Sequence, residues 1–257
     1  MKDHKVILIL IDGMRPDALN ACGNPYVKTL LAESAYTFNA RTVMPSWTLP
    51  CHVSLFQSVP PDRHGVLSNT FTPSPRPVPG LCECLRASEK RCGFFYSWGE
   101  LRDLAKPDSL AYSEFINIHT EPAADDRVTI SALKRIREEK LDFAFIYQVM
   151  SDCYGHNRGW MSEPYLNAVS NSLHNVEKLI AEYGNDYTIM VIADHGGHER
   201  THGEDVPEDM KIPVIIRDKA FTPGEMAKEI SILDIAPTIA ALLNVKAAAE
   251  WEGQSLL

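Results

Sequence analysis

Short apolar runs alternate along the chain with longer segments in which apolar residues recur at helical spacing. The apolar runs predict buried β-strands, because the strands of a parallel sheet are covered on both faces. These runs lie at residues 6–11, 36–43, 92–98, 143–150, 187–193 and 212–216. The periodic segments predict helices at residues 17–33 (broken at 23–25), 51–58, 81–88, 123–139, 164–183 and 231–243. The alternation predicts an α/β fold, a three-layer sandwich with a mostly parallel central sheet.

Three of the predicted strands end in an aspartate: Asp12, Asp152 and Asp194. A single aspartate in such a place is an ordinary turn residue. However, the carboxyl ends of parallel strands meet at one edge of the sheet, where open α/β folds bind their ligands. We therefore expect the three carboxylates to lie close together.

The stretch from Ala193 to Gly203 holds three of the nine histidines, namely His195, His198 and His202. Its glycines allow sharp turns that could aim several imidazoles into one space. A fourth histidine, His156, follows Asp152 by four residues, and this pair taken alone could be a helix cap with a surface histidine. No fold needs such a density of Asp, His and Gly for stability, so we interpret the stretch as part of a metal site.

Three carboxylates and three imidazoles match the needs of two borderline divalent ions, with open positions left for a nucleophile or a substrate oxygen. Zn²⁺ is favoured by the histidines, and Mn²⁺ is the alternative. The six side chains are those of Asp12, Asp152, Asp194, His156, His195 and His202.

Thr48 stands just before a helical pattern, and Pro50 lies just inside it, which predicts Thr48 as an N-cap. Its hydroxyl would lie near the positive end of the helix dipole, where phosphate oxygens also bind. Alone, Thr48 is a structural cap. Next to divalent ions it becomes a candidate nucleophile, because a metal ion lowers the pKa of a coordinated hydroxyl.

Composition narrows the class of protein. A chain of 257 residues with 45% apolar content can form one large domain, and we predict a single domain over residues 1–257. The net charge of −9 disfavours binding to nucleic acid polymers, and no apolar run is long enough to span a membrane. The six cysteines form no CxxC pair, which favours reduced thiols and a cytoplasmic location. The oligomeric state stays open.

Several motifs in this order resemble the alkaline phosphatase superfamily, and within it the nucleotide pyrophosphatase/phosphodiesterase type. They are Leu-Ile-Asp12-Gly-Met-Arg15, Met-Pro-Ser-Trp-Thr48-Leu-Pro-Cys-His52, Arg63-His64-Gly65-Val66, Ser151-Asp152-x-x-Gly-His156, Asp194-His195-Gly-Gly-His-x-Arg-Thr-His202-Gly, Lys211-Ile-Pro213-Val and Leu233-Asp234-Ile-Ala-Pro237-Thr238. The resemblance runs from residue 5 to about residue 243 and implies an alkaline-phosphatase-like fold.

The resemblance implies roles for individual residues. One metal ion would be held by Asp12, Thr48, Asp194 and His195, and the other by Asp152, His156 and His202. Thr48 would be the catalytic nucleophile and would form a covalent phospho-threonine intermediate. The diesterase pattern usually has an Asn three residues after the nucleophile, where this chain has Cys51. A thiol is a weaker hydrogen-bond donor than an amide, so this departure leaves the substrate class open.

The sequence therefore predicts a hydrolase with two divalent metal ions that cleaves phosphodiester or pyrophosphate bonds in a small, nucleotide-like phosphorylated substrate. Phosphomonoesterase and phosphonate hydrolase activity on the same scaffold are the enzyme alternatives, and a catalytically silent binding module is the non-enzyme alternative. A sulfatase is disfavoured because Cys51-His-Val-Ser lacks the Cys-x-Pro-x-Arg signature. Trp47, Trp98, Tyr154 and Trp160 are candidate aromatic walls, and Arg15, Arg158 and Arg200 are candidate cations.

Overall fold

One sheet of eight strands forms the centre of the computed structural model, which describes residues 4–257. The strands are β1 (Val6–Ile11), β2 (Ala35–Arg41), β3 (Cys92–Tyr96), β4 (Tyr112–Phe115), β5 (Phe143–Gln148), β6 (Thr188–Ile192), β7 (Lys211–Arg217) and β8 (Gly224–Glu225). Their order across the sheet is β4-β3-β5-β1-β6-β7-β2-β8. β7 pairs antiparallel with both of its neighbours, and the other pairs are parallel.

Ten α-helical segments, several of them single turns, cover the sheet. They are α1 (Ala18–Ala21), α2 (Tyr26–Ala32), α3 (Thr48–Gln57), α4 (Pro61–His64), α5 (Leu81–Ala87), α6 (Ala124–Glu138), α7 (Met150–Arg158), α8 (Glu163–Tyr183), α9 (Pro207–Met210) and α10 (Ile235–Leu242). Short 3₁₀ turns occur at Gly99–Asp103, Pro107–Ser109 and Ile232–Asp234.

Side chains of β5 alternate between the two helical layers, as the period of two in a strand requires. Phe145 packs with its ring against Phe56 of α3 at 5.1 Å between ring centroids. On the opposite face, Gln148 donates a hydrogen bond to the hydroxyl of Thr129 in α6. The helices α3, α5 and α10 pack together on the first face, and α6 and α8 pack on the second. The predicted three-layer α/β sandwich is confirmed.

The central strands are the apolar runs of the sequence. Every residue of β1, β3, β5 and β6 is buried, whereas the edge strand β4 alternates between half-buried and exposed positions. A strand in mid-sheet is covered by helices on both faces, so mostly apolar side chains fill both sides. The boundaries predicted from the sequence agree with the strands to within a few residues.

Two local predictions were wrong. The sequence predicted a strand over residues 143–150, but β5 ends at Gln148, and Asp152 lies in the first turn of α7. Thr48 was predicted as an N-cap, yet it is the first residue of α3, and Trp47 occupies the cap position without a side-chain hydrogen bond. The hydroxyl of Thr48 is therefore not used by the helix.

Two further observations bear on the sequence predictions. Over residues 4–257, no helix has both the length and the apolar character needed to cross a membrane. The six cysteines are free thiols. The prediction of one domain over residues 1–257 includes positions 1–3, which lie outside the described residues.

Candidate metal centre

The carboxyl ends of three neighbouring strands bring the predicted site residues together. Asp12 directly follows β1, Asp194 follows β6 after one residue, and Asp152 lies in the first turn of the helix that follows β5. These three strands are adjacent in the sheet, in the order β5-β1-β6. The expectation that three aspartates meet at one edge of the sheet is thus met by the geometry.

Asp12, Asp194 and His195 form the deeper half of the site, and all three are buried. The Nε2 atom of His195 lies 3.3 Å from Oδ1 of Asp12 and 3.4 Å from Oδ2 of Asp194. The other oxygen of Asp194 accepts hydrogen bonds from the backbone N–H groups of Gly13 (3.2 Å) and His195 (3.0 Å). Oδ1 of Asp12 and Oδ2 of Asp194 thus both face the imidazole of His195.

Asp152, His156 and His202 form the outer half. The Nε2 atoms of His156 and His202 lie 3.4 Å and 3.7 Å from Oδ1 of Asp152. The pair Asp152 and His156 sits on one face of α7 because residues four apart in a helix are neighbours. The ring of His202 stacks on that of His195 at 3.8 Å between centroids, so the two halves of the site touch.

The three imidazoles share one hydrogen-bonding pattern. In each ring Nδ1 faces a backbone carbonyl: Gly196 for His195 (2.8 Å), Arg200 for His156 (3.0 Å) and Ser46 for His202 (2.8 Å). A carbonyl oxygen can only accept, so Nδ1 must carry the proton and, in the neutral ring, Nε2 presents its lone pair. Histidines that bind metals commonly show this arrangement, in which the second nitrogen donates to a carbonyl.

Several acceptor atoms in the site lack a hydrogen-bond donor. Among residues 4–257, the buried atoms Oδ1 of Asp12, Oδ1 of Asp152 and Oδ2 of Asp194 have no hydrogen-bond partner. They face the bare Nε2 lone pairs described above. Buried acceptors that face one another are costly unless a proton or a cation lies between them, and one divalent cation can satisfy several of them at once. Oxygen and imidazole nitrogen ligands also fit the divalent ions expected from the sequence.

Two overlapping ligand groups fulfil the distance requirement for a metal ion. The ligand atoms of Asp152, His156 and His202 lie within 4.8 Å of one another, and so do those of Asp12, Asp152 and His195. Asp152 belongs to both groups and therefore lies between the two halves of the site, whereas the resemblance assigns it to the outer ion alone. The residues present fit two neighbouring divalent ions.

The pKa values of the site residues are shifted by burial and, for Asp12, by the neighbouring carboxylates. Burial, together with Asp194 and Asp152, raises the pKa of Asp12 well above its ordinary range, and burial raises the pKa of Asp194 to about 8. Burial lowers the pKa of His195 to about 3 and that of His202 to about 3. Desolvation disfavours each charged form. The imidazoles of His195 and His202 are therefore neutral at physiological pH, as metal ligands must be.

Thr48 lies at the inner half of the site. Its Oγ1 is 3.2 Å from Nε2 of His195, and its side chain is almost fully buried. The carbonyl oxygen of Thr48 accepts a hydrogen bond from Nδ1 of His52 at 2.7 Å. Burial lowers the pKa of His52 to about 4, so this ring stays neutral and holds the first turn of α3 in place.

Cys51, which stands where the family pattern has an Asn near the nucleophile, does not line the site. It is fully buried, its thiol lies 3.1 Å from the hydroxyl of Thr42, and burial raises its pKa well above the ordinary range. The amide at the first turn of α3 comes instead from Asn69, whose Oδ1 accepts the backbone N–H of Leu49 at 2.9 Å. No acceptor holds its Nδ2 among the described residues. No local sequence signal marks Asn69, which lies in a loop.

Tyr147 is a second residue that the sequence did not reveal. Its hydroxyl donates a short hydrogen bond to Oδ2 of Asp12, on the side of the carboxylate away from His195. The burial of Tyr147 follows from the apolar pattern of β5, but the partner of its hydroxyl depends on the pairing of β5 with β1.

The four candidate aromatic walls differ in their surroundings. Trp160 is buried behind the site, where its Nε1 donates to the carbonyl of Gly13 at 2.9 Å. A side chain at Gly197 would collide with its ring, since a Cβ atom there would lie 2.2 Å from it. Trp98 is packed partly into the core. Tyr154, on α7, and Trp47 are each 38% exposed, and Trp47 lies over Gly203, next to His202.

Arg15 is already engaged. Its guanidinium forms two hydrogen bonds with Asp17, at 2.9 Å and 2.6 Å, and a third with the carbonyl of Gly197 at 3.1 Å. Arg158 and Arg200 are exposed. None of the three candidate arginines contacts the carboxylates of the site.

Models of two protein families match the chain. The type I phosphodiesterase / nucleotide pyrophosphatase family matches residues 6–81, and the metalloenzyme superfamily matches residues 112–247. The second match covers more than half of the chain. Together they include every residue predicted to bind metal.

Curated relatives are phosphoglycerate mutases. The 2,3-bisphosphoglycerate-independent phosphoglycerate mutase of Listeria monocytogenes is 33% identical over 138 residues, which are 51% of this chain and 26% of that protein. The corresponding mutase of Bacteroides thetaiotaomicron is 28% identical over 126 residues, 48% of this chain and 25% of that protein. The chain thus spans about a quarter of the length of these relatives.

Solved structures share the fold at low identity. Murine ectonucleotide pyrophosphatase/phosphodiesterase 5, in a complex with AMP, superimposes with a TM-score of 0.81 at 14% identity and covers 95% of this chain and 96% of its own. Phosphonate monoester hydrolase from Silicibacter pomeroyi gives 0.79 at 13% identity, over 98% and 76% of the two chains. A 2-O GAG sulfatase gives 0.73 at 15% identity, over 99% and 73%.

Proposed function

Because the chain belongs to the metalloenzyme superfamily of alkaline-phosphatase-like enzymes, we propose that it is a hydrolase of small phosphodiesters or pyrophosphates. The proposal includes Thr48 as the nucleophile and two divalent ions, with Zn²⁺ favoured over Mn²⁺. A nucleotide-like substrate and a cytoplasmic location are further parts of it.

One observation carries the proposal more than any other. Each of the three imidazoles donates from Nδ1 to a backbone carbonyl and turns Nε2 toward a carboxylate. The facing oxygens of Asp12, Asp152 and Asp194 have no hydrogen-bond donor among the described residues. Such a cluster of facing acceptors is stabilised by bound cations, which displace protons from their ligands.

The ligands of the two proposed ions divide between the halves of the site. One ion would be held by Asp12, Thr48, Asp194 and His195, and the other by Asp152, His156 and His202. Bound divalent ions supply positive charge that acidifies a hydroxyl and stabilises a departing oxygen. Asp152 is near both halves, which supports a compact pair of sites.

Thr48 has the surroundings that a nucleophile needs. Its hydroxyl is not consumed by helix capping and points to the cluster of carboxylates and imidazoles. The helical start and the hydrogen bond from His52 fix its backbone, so that the hydroxyl needs little reorganisation before it attacks. In the proposed reaction Oγ1 forms a bond to phosphorus while the bond to the leaving oxygen breaks, and water then cleaves the phospho-threonine ester.

Asn69 is proposed to bind a phosphoryl oxygen. Its Oδ1 is fixed by the backbone N–H of Leu49, which leaves the Nδ2 group as a donor beside the nucleophile. This amide would supply the hydrogen-bond donor that Cys51 does not, because the Cys51 thiol is buried in the core. A donor aimed at developing negative charge on the phosphoryl group contributes to catalysis.

Two observations favour a diester over a monoester. A monoester presents a third charged oxygen and calls for an additional cation, but Arg15 is occupied by Asp17 and Gly197. A diester carries a second organic group instead. The exposed ring of Trp47, directly before the nucleophile, offers an apolar surface to an aryl or nucleoside group. The fold shared with a phosphodiesterase that binds AMP agrees with this choice.

Hydrolysis is proposed rather than the phosphoryl relocation of the curated relatives. The fold is shared over 95% of this chain with a nucleotide pyrophosphatase/phosphodiesterase and over 98% with a phosphonate monoester hydrolase, which supports hydrolysis.

A parallel assay tests the proposal. The zinc-loaded enzyme is given an aryl phosphate diester, an aryl phosphate monoester, an aryl phosphonate ester and an aryl sulfate at equal concentrations. We expect the diester to be cleaved at least about tenfold faster than the monoester, a difference of about 1.4 kcal/mol in the barrier. A reversed ranking would replace the diesterase assignment by a monoesterase one. Cleavage of none of the four, with metal bound, would favour a silent binding module.

A further inference from the structure

His198 is the one histidine of the stretch 193–203 that the proposed function leaves without a role. Its Nδ1 faces Oδ1 of Asp209 at 2.8 Å, whereas the Nδ1 atoms of the proposed metal ligands face backbone carbonyls. Asp209 is fully buried, and the His198 side chain is only 26% exposed. A buried carboxylate needs hydrogen-bond donors, and the imidazole supplies one of them.

Asp209 contacts residues 196–204, here called the metal-binding loop, at three separate points. Its backbone carbonyl accepts the N–H of Gly196 at 2.8 Å, Oδ1 receives the His198 ring, and Oδ2 accepts the N–H of Glu204 at 2.9 Å. These points lie at the beginning, in the middle and at the end of the loop. One buried residue thus fixes a segment of nine residues that has no regular secondary structure of its own.

His202 lies between two of these fixed points. The turn that precedes it is closed by a reciprocal pair of backbone hydrogen bonds between His198 and Thr201, at 3.0 Å and 2.9 Å. A displacement of His198 would therefore be passed directly to the residue next to His202. Beyond this turn, the ring of His202 meets the carbonyl of Ser46, the stacked ring of His195 and the rings of His156 and Trp160, none of which holds its backbone.

We propose that Asp209 and His198 form a clasp that holds the loop in the conformation in which His202 reaches the outer metal ion. Both are positioning residues and neither touches the ion. The inference rests on the proposed function, since it assigns His202 to a metal ion. Without the clasp the loop must be ordered when the ion binds, and that ordering weakens binding. The ion held by Asp12, Asp194 and His195 has no ligand within residues 196–204, so its affinity should be affected less.

The test uses three variants at one position. His198→Ala removes the donor to Asp209. His198→Asn keeps it, because the side-chain nitrogen of asparagine occupies the position of Nδ1. His198→Gln carries an amide that lies one bond further out and misses this position. His174→Ala is the matched control, because His174 is an exposed histidine paired with Glu177 at 3.7 Å on α8.

The readout is the stoichiometry and affinity of zinc for each of the two sites, measured by chelator competition on the metal-free proteins. Amide hydrogen exchange of residues 196–204 is measured on the same samples without metal. In His198→Ala and His198→Gln we expect one of the two zinc sites, the outer site that contains His202, to lose about tenfold or more in affinity, the range found when groups supporting a metal ligand are removed. The loop amides should exchange faster. His198→Asn and His174→Ala should resemble the wild type.

The outcomes separate the clasp from the proposed function. If the wild type binds two ions and His198→Ala binds both with unchanged affinity, the clasp is wrong and the metal assignment stands. If both sites weaken equally, His198 supports the fold in general and the clasp is also wrong. If the wild type takes up fewer than two ions, the proposed function fails and the clasp fails with it.

Discussion

Replacing Asp125 by asparagine should change how the stability of the protein depends on pH. Asp125 lies in the first turn of α6, almost fully buried. Its two oxygens accept the backbone N–H groups of Val149 (2.8 Å) and Met150 (3.1 Å), at the start of the helix that carries Asp152 and His156. The carboxyl group therefore connects α6 to the outer half of the metal site.

The magnitude follows from the pKa of this group. Burial raises the pKa of Asp125 from its ordinary value of 3.8 to about 7, despite the two N–H donors that lower it. The folded state thus keeps a proton that the unfolded state releases near pH 4. Its stabilising contribution is complete below pH 4 and is lost as the pH rises through 7. A shift of about 3 units corresponds to at most about 4 kcal/mol.

Urea unfolding between pH 4 and 8, in the presence of a chelator, measures this effect. Asp125→Asn cannot titrate at this position, and the metal-binding groups titrate alike in both proteins, so the difference in unfolding free energy isolates Asp125. Asp126→Asn controls for removal of a charge from the same helical turn. The wild type should lose stability relative to Asp125→Asn as the pH rises. A difference that stays constant or grows in favour of the wild type would show that the N–H donors keep the carboxylate ionised, and would refute the reasoning.

Further substitutions test the site itself. Thr48→Ala should abolish turnover and leave zinc content near normal; retained activity would refute the nucleophile. His202→Ala should release one of two zinc ions in metal analysis, and undiminished zinc content would contradict its assignment. Tyr147→Phe removes the hydroxyl that orients the Asp12 carboxylate, and zinc affinity in a chelator competition should fall about tenfold. Asn69→Ala should lower kcat by about tenfold or more, whereas Cys51→Ala should affect mainly the unfolding free energy; equal losses of kcat in these two variants would contradict the different roles of the amide and the thiol.

The sequence predicted those parts of the fold and site that depend on local pattern. Apolar runs in mid-sheet marked β1 and β6, and the aspartates behind them marked the edge of the sheet where ligands bind. The sequence pattern missed α7, because Asp152 follows the apolar run of β5 so closely that the run and the helix merge. Helix and strand cannot be told apart at such a junction by periodicity alone.

The remaining parts of the site depend on contacts between distant residues. Asn69 reaches Leu49 across twenty positions through a loop, and Tyr147 reaches Asp12 only because β5 pairs with β1 in a particular register. Asp209 likewise serves a loop that ends several residues before it. Such residues have ordinary sequence neighbours, so no spacing rule marks them. For Thr48 the sequence predicted the start of the helix, but the prediction that its hydroxyl caps that helix was wrong.

The stereochemistry of hydrolysis at phosphorus tests the central claim most directly. The zinc-loaded enzyme is given one enantiomer of a chiral aryl phosphorothioate diester in ¹⁸O-labelled water, and the configuration of the labelled product is determined. Attack by Thr48 followed by attack of water comprises two in-line displacements, each of which inverts the configuration. We predict net retention. Net inversion would mean that water attacks the substrate directly, and it would contradict the assignment of Thr48 as the nucleophile.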